Sequence, residues 1–128
     1  MKIVNTTTMP LNRFKRLLNR VISQTGIHHP GLTVMVYECA ERPHGLCTPF
    51  EKKIEIWIMN VTSDDEICFL FAHELAHLTD ENIQMLLKGL GNNAELHADS
   101  IAERVTGLMR EELQWVRGYR GYSRLVAI

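Results

Sequence analysis

The sequence predicts an α+β fold, a compact domain in which helices surround a small sheet. Three observations carry this. Apolar residues recur at helical spacing over residues 10–25 and alternate at strand spacing over residues 53–59. Residues 67–78 are apolar around nearly the whole circumference of a helix, the pattern of a buried helix. With 128 residues the chain is long enough for a single core and too short for two, so one domain over residues 1–128 is expected.

Taken in order, residues 1–8 contain no apolar segment of signal-peptide length. Over residues 10–25, Leu11, Phe14, Leu17, Leu18, Val21 and Ile22 form the apolar stripe of a helix. Pro10 suits its first turn and Gly26 its stop. Arg13, Lys15, Arg16 and Arg20 on this helix read as a solvated face. His28-His29-Pro30-Gly31 is a turn, and residues 32–39 read as a strand. Residues 40–51, with Pro43, Gly45 and Pro49, read as a loop. Residues 53–59 alternate Ile54, Ile56 and Ile58 with Glu55, Trp57 and Met59, a half-buried strand. Ser63-Asp64-Asp65-Glu66 is a capping box that opens the next helix. Residues 80–88 form a short helix closed by Gly89 and Gly91, and Asn92 or Asn93 caps a further helix that Gly107 ends. Residues 108–116 are a last helix. There are no repeats, low-complexity segments or linkers.

The buried helix holds the most informative residues. Between Ile67 and Leu78 the only polar side chains are His73, Glu74 and His77. At about 100° per residue the three fit within an arc of roughly 100°, on one face. The histidines at i and i+4 lie about 6 Å apart, close enough to share one metal ion. Buried polar groups need a partner, and a metal is one. The His-Glu-x-x-His spacing supplies two imidazole ligands for zinc, with a carboxylate beside the position of the bound water. A catalytic zinc uses three protein ligands and keeps the fourth position for water, whose pKa falls to roughly 7. Glu74 then acts as general base, and as general acid toward the leaving amine.

The third ligand comes from elsewhere. Ile83 stands where the longer HExxHxxGxxH motif of the metzincins needs histidine, and Asp80 replaces its glycine, which excludes that class. On the helix around residues 93–105 the apolar stripe is Ala94, Ala98, Ile101, Ala102 and Val105. Glu95 and Asp99 lie along one border of it and His97 along the other, so geometry alone barely separates Glu95 from His97 as ligand.

His73-Glu74-x-x-His77 followed by Glu95-Leu96-His97-Ala98-Asp99 resembles the gluzincin metallopeptidases, whose signature is HExxH and then ExxxD on a later helix. The ExxAD form is similar to the catalytic core of the CAAX prenyl endopeptidases, and the short chain resembles the stand-alone minigluzincins. The likeness spans roughly residues 62–107. It implies a zincin-like fold, Glu95 as third zinc ligand, and Asp99 orienting a liganding histidine. It also implies an endopeptidase acting on a peptide or protein. The strand preceding the metal helix, residues 53–59, would then border the cleft and offer a free edge to an extended substrate. Gluzincins usually add a later histidine or tyrosine that stabilises the oxyanion. No histidine follows His97, which leaves Tyr119 and Tyr122 as the candidates.

Composition bounds the alternatives. A hydrophobic content of 45%, a charged content of 23% and a net charge of −1 describe an ordinary globular protein, with nothing that points to nucleic acid or an anionic membrane surface. The longest apolar run is too short, and too polar in its middle, to span a membrane. Three cysteines, an odd number, fit a reducing cytoplasm better than a disulfide framework. Cys39, His44 and Cys47 could form a second, structural zinc site, or one cysteine could lie across the cleft and occupy the metal. The rival functions are a zinc-binding regulatory or interaction module with little hydrolytic activity, and a helical interaction protein carrying the motif by accident. Oligomeric state is not legible.

Overall fold

The computed structural model describes residues 1–109 and, beyond them, the backbone of residues 124–125. The chain runs β1 (Lys2–Asn5), α1 (Leu11–Thr25), β2 (Thr33–Glu38), β3 (His44–Thr48), a 3₁₀ turn (Pro49–Glu51), β4 (Lys53–Ile58), α2 (Asp64–Ala76), α3 (Asp80–Leu87), α4 (Gly91–Thr106) and β5 (Arg124–Leu125). The described strands form one mixed sheet in the order β1-β2-β4-β3-β5. β1, β2 and β4 are mutually parallel, β3 is antiparallel to β4, and β5 is parallel to β3. The α+β class is therefore as the sequence predicts.

Register lines up the core. Val34 pairs with Ile54 and Val36 with Ile56, while Cys47 and Gly45 of β3 meet Ile54 and Ile56 from the other side. Because side chains alternate across a sheet, these residues share one face, and all of them are buried. α1 packs Phe14, Leu17, Leu18 and Val21 into the same core. α2 contacts α1, α4, β3 and β4, and residues 67–76 are buried on every side, as the unbroken apolar run requires. The capping box at its start is formed: Glu66 N donates to Ser63 Oγ at 3.2 Å and Ser63 N to Glu66 Oε1 at 2.9 Å. Gly26 and Gly107 close α1 and α4 with φ of 72° and 73°, the left-handed cap that glycine adopts without strain.

Several expectations change. Of the basic residues read as a solvated face, Lys15, Arg16 and Arg20 are exposed as expected, whereas Arg13 is half-buried against the start of α2. Arg13 donates to Asp64 at 2.8 Å and to the Thr62 carbonyl at 3.0 Å, while Arg16 and Arg20 reach Asp64 and Asp65 at 3.5 and 3.3 Å. Arg13, and secondarily Arg16, hold the Asp64 carboxyl below the usual carboxylate range, and an acidic first turn also complements the helix dipole. The loop expected over residues 40–51 contains β3 and the 3₁₀ turn. Its glycine and flanking prolines hide a strand that is made by pairing with β4, with Lys52 turning the hairpin at φ 51°. β4 consequently lies between β2 and β3 and has no free edge, so the strand bordering the site is β3. β1 carries no readable alternation because none of its four side chains is fully buried. α4 is capped by neither Asn92 nor Asn93. It begins at Gly91 with Leu90 as its N-cap, since only residues 88–90 connect it to α3 and Gly89 turns the chain directly into the helix. Leu108 and Met109 are not helical, and the rest of the expected last helix lies outside the described residues. Among the described residues no helix is long and apolar enough to cross a membrane.

Candidate metal centre

α2 and α4 carry the site, and small residues let them approach. Ala72 and Ala76 on α2 and Ala94, Ala98 and Ala102 on α4 are all fully buried. α2 delivers His73 and Glu74. His77 caps the helix and keeps helical angles (φ −67°, ψ −13°), so the i, i+4 relation with His73 holds. The two rings stand edge to face, with centroids 4.9 Å apart and planes at 80°, and their Nε2 atoms are 3.2 Å apart. From α4, Glu95 places Oε2 3.1 Å from His73 Nε2 and Oε1 3.2 Å from His77 Nε2. His73, His77 and Glu95 thus each offer a ligand atom within 4.8 Å of the others, the arrangement of a three-residue metal site. The histidine side chains are almost completely buried (2% and 0% exposed), while that of Glu95 is 28% exposed, so the centre meets solvent on the α4 side.

The outer nitrogens of both rings are held. His73 Nδ1 donates to Asp99 Oδ1 at 2.8 Å and His77 Nδ1 to Asn82 Oδ1 at 2.7 Å. In the neutral rings the Nδ1 positions carry the hydrogens, which leaves two Nε2 lone pairs and a carboxylate converging on one point. Such a donor set repels itself unless positive charge sits at its centre, and imidazole with carboxylate is a set that zinc accepts. The residues therefore fit a divalent metal, held by a carboxylate–histidine arrangement of the kind that orients metal ligands.

Electrostatics agree. Burial works against charge on His73, but the Asp99 and Glu95 hydrogen bonds and the charges of Glu74 and Glu95 outweigh it and push its pKa up to about 10. Burial likewise opposes ionisation of Glu95, yet the two histidines pull its pKa down to about 2. Both shifts describe one pairing, a carboxylate-rich pocket that draws in a cation. Without metal a proton on His73 meets that demand, donating from Nε2 to Glu95.

Glu74 is fully buried, with Oε2 3.9 Å from His73 Nε2. It packs directly beneath β3: a Cβ built on Gly45 would lie 2.5 Å from Glu74 Oε2 and 2.7 Å from its Cγ. The backbone of Gly45 is not in the left-handed region, so the glycine answers a need for space.

His97, the alternative ligand, turns away from the centre. Its Nδ1 accepts from Asn82 Nδ2 at 2.9 Å, and its Nε2 lies 3.4 Å from Glu81. Two residues beyond Glu95 it sits about 200° further round the helix. The cysteine–histidine cluster does not assemble. His44 stacks on Trp57 at 4.6 Å on the outer sheet face, whereas Cys47, an odd number of residues on, is buried in the core. Burial, then the Glu74 and Glu95 charges, push the Cys47 thiol far above its ordinary range, so it stays protonated. Among the described residues the only group with metal-ligand geometry is His73, His77 and Glu95. Tyr119 and Tyr122 lie outside the described residues. Sequence reading missed Asn82 and Gly45. A fully buried Asn in a short helix and a glycine in an apparent loop carry no signal until their neighbours are known.

Comparison with family models, with curated proteins and with solved structures gives no match.

Proposed function

We propose that the chain is a zinc-dependent metallopeptidase of the gluzincin type, an endopeptidase with a zincin-like fold that hydrolyses peptide bonds. One observation carries this reading: two Nε2 atoms and the Glu95 carboxylate from a second helix meet within 4.8 Å, with both Nδ1 atoms already engaged. A zinc ion held by His73, His77 and Glu95 supplies Lewis acidity that polarises a carbonyl and acidifies water.

The remaining work belongs to the chain. Glu74 takes a proton from the attacking water and returns it to the nitrogen of the scissile bond, so one water and one peptide bond become a carboxylate and an amine. Its position beside His73 Nε2 and its walled carboxylate suit that shuttle. Asp99 holds the His73 ring. β3, whose Gly45 roofs Glu74, borders the cleft in which a polypeptide would lie, its outer edge already paired to β5 at Leu46 and Cys47. The free thiols Cys39, Cys47 and Cys68 support a reducing compartment such as the cytoplasm. Complete burial of Glu74 favours a second reading, a zinc-binding regulatory module with little hydrolytic activity.

Incubating the zinc-loaded protein with an unstructured polypeptide separates the two. Cleavage that falls at least ~100-fold in Glu74→Gln, with zinc still bound, supports the peptidase. Bound zinc with no cleavage by the wild type supports the module.

A further inference from the structure

We infer that Asn82 is a positioning residue that sets the tautomers of two histidines at once, the ligand His77 and the non-ligand His97. This rests on the metal reading of the site. Asn82 is fully buried on α3. Its Nδ2 donates to the Ala94 carbonyl at 2.8 Å. A carbonyl only accepts, so this contact fixes which way the amide faces. Oδ1 is then the atom 2.7 Å from His77 Nδ1, and His77 must donate there. The second Nδ2 hydrogen lies on His97 Nδ1 at 2.9 Å, so His97 accepts at Nδ1 and carries its own hydrogen on Nε2, toward Glu81.

One amide therefore aims His77 Nε2 into the centre and at the same time holds the His97 hydrogen on Nε2, away from the centre. It does so while joining α3 to α4, which ties ligand orientation to the docking of those helices. Asp99 does the corresponding work for His73 with a charged group. Asn82 does it with a neutral one, and so adds no further negative charge beside Glu74, Glu95 and Asp99.

Ring-nitrogen NMR of ¹⁵N-labelled protein tests this, with and without zinc. The wild type should show His77 protonated at Nδ1, with zinc on Nε2, and His97 protonated at Nε2. In Asn82→Asp the carboxylate still accepts from His77, so His77 keeps its tautomer, while the bond to the Ala94 carbonyl is lost. His97 must then move its hydrogen to Nδ1 to face an acceptor. In Asn82→Leu, His77 should populate both tautomers and zinc affinity should fall 10–100-fold. A purely structural Asn82 would not move the two histidines separately in this way. His77 protonated at Nε2 in the wild type, or His77 and zinc affinity unchanged in folded Asn82→Leu, overturns the inference. The wild-type spectrum decides even if the leucine variant does not fold. Failure of the wild type to bind zinc would defeat the metal reading, while the tautomers stay readable in the metal-free protein.

Discussion

Replacing Gly45 with alanine tests the packing that places the proposed base. The added methyl would stand 2.5 Å from Glu74 Oε2, 2.7 Å from Cγ and 2.8 Å from Cδ, short by 0.6 to 0.9 Å of the 3.4 Å at which ordinary contact begins. Both sides resist. Gly45 is pinned in the sheet opposite Ile56, and Glu74 is a fully buried residue near the C-terminal end of a helix packed on every side. Overpacking of this size costs about 1–3 kcal/mol. The carboxylate, as the part able to rotate, should absorb much of the shift, and a displacement of about 1 Å in a catalytic group can cost ~100-fold in rate. Urea denaturation and peptide cleavage measure the two effects, and zinc content should stay near the wild-type level because the three atoms nearest the new methyl all belong to Glu74 and not to a ligand. A Gly45→Ala protein with unchanged midpoint and unchanged cleavage would refute the placement of β3 over Glu74.

Zinc binding near pH 7 should release close to one proton, because His73, with its pKa pushed up to about 10, must give up its Nε2 hydrogen to become a ligand. Calorimetry in buffers of different ionisation enthalpy reads this, and heats independent of buffer would contradict it. In the metal-free protein the raised His73 pKa contributes stability that is complete below pH 6.5 and lost as pH rises through about 10. The lowered Glu95 pKa contributes stability present above pH 4.5 and lost as pH falls through about 2. Thermal melts with chelator should therefore peak between those limits, with the alkaline decline abolished by zinc. Asp99→Ala removes the acceptor of the 2.8 Å bond to His73 and should weaken zinc binding 10–100-fold in a competition assay with a chromophoric chelator. Ser63→Ala breaks the capping box at the remote end of α2 and should cost about 0.5–2 kcal/mol with zinc affinity unchanged, a control for global effects.

What was legible in the sequence follows from how local each cause is. α1, α2 and β4 carry their periodicity in their own residues, and Ser63 with Glu66 encodes a helix start in four positions. The pair of histidines was equally readable, because i and i+4 share a helix face whatever surrounds them. β1 and β3 were hidden because pairing with neighbours makes them strands, which no pattern within four or five residues reports. The choice between Glu95 and His97 depended on how α4 is rotated against α2, a property of the alanine contacts between the helices. Asn82 was beyond reach for the same reason. The three groups its side chain bonds lie on two other elements, the end of α2 and α4, at sequence distances of 5, 12 and 15 residues.

The most direct measurement of the central claim is zinc X-ray absorption fine structure on the zinc-loaded protein. The expected result is about one zinc per chain in a shell of nitrogen and oxygen atoms at about 2.0–2.1 Å, with scattering from two imidazoles and no sulfur. A sulfur shell near 2.3 Å, a third imidazole, or a protein that takes up no zinc would contradict the assignment of His73, His77 and Glu95 as the ligands.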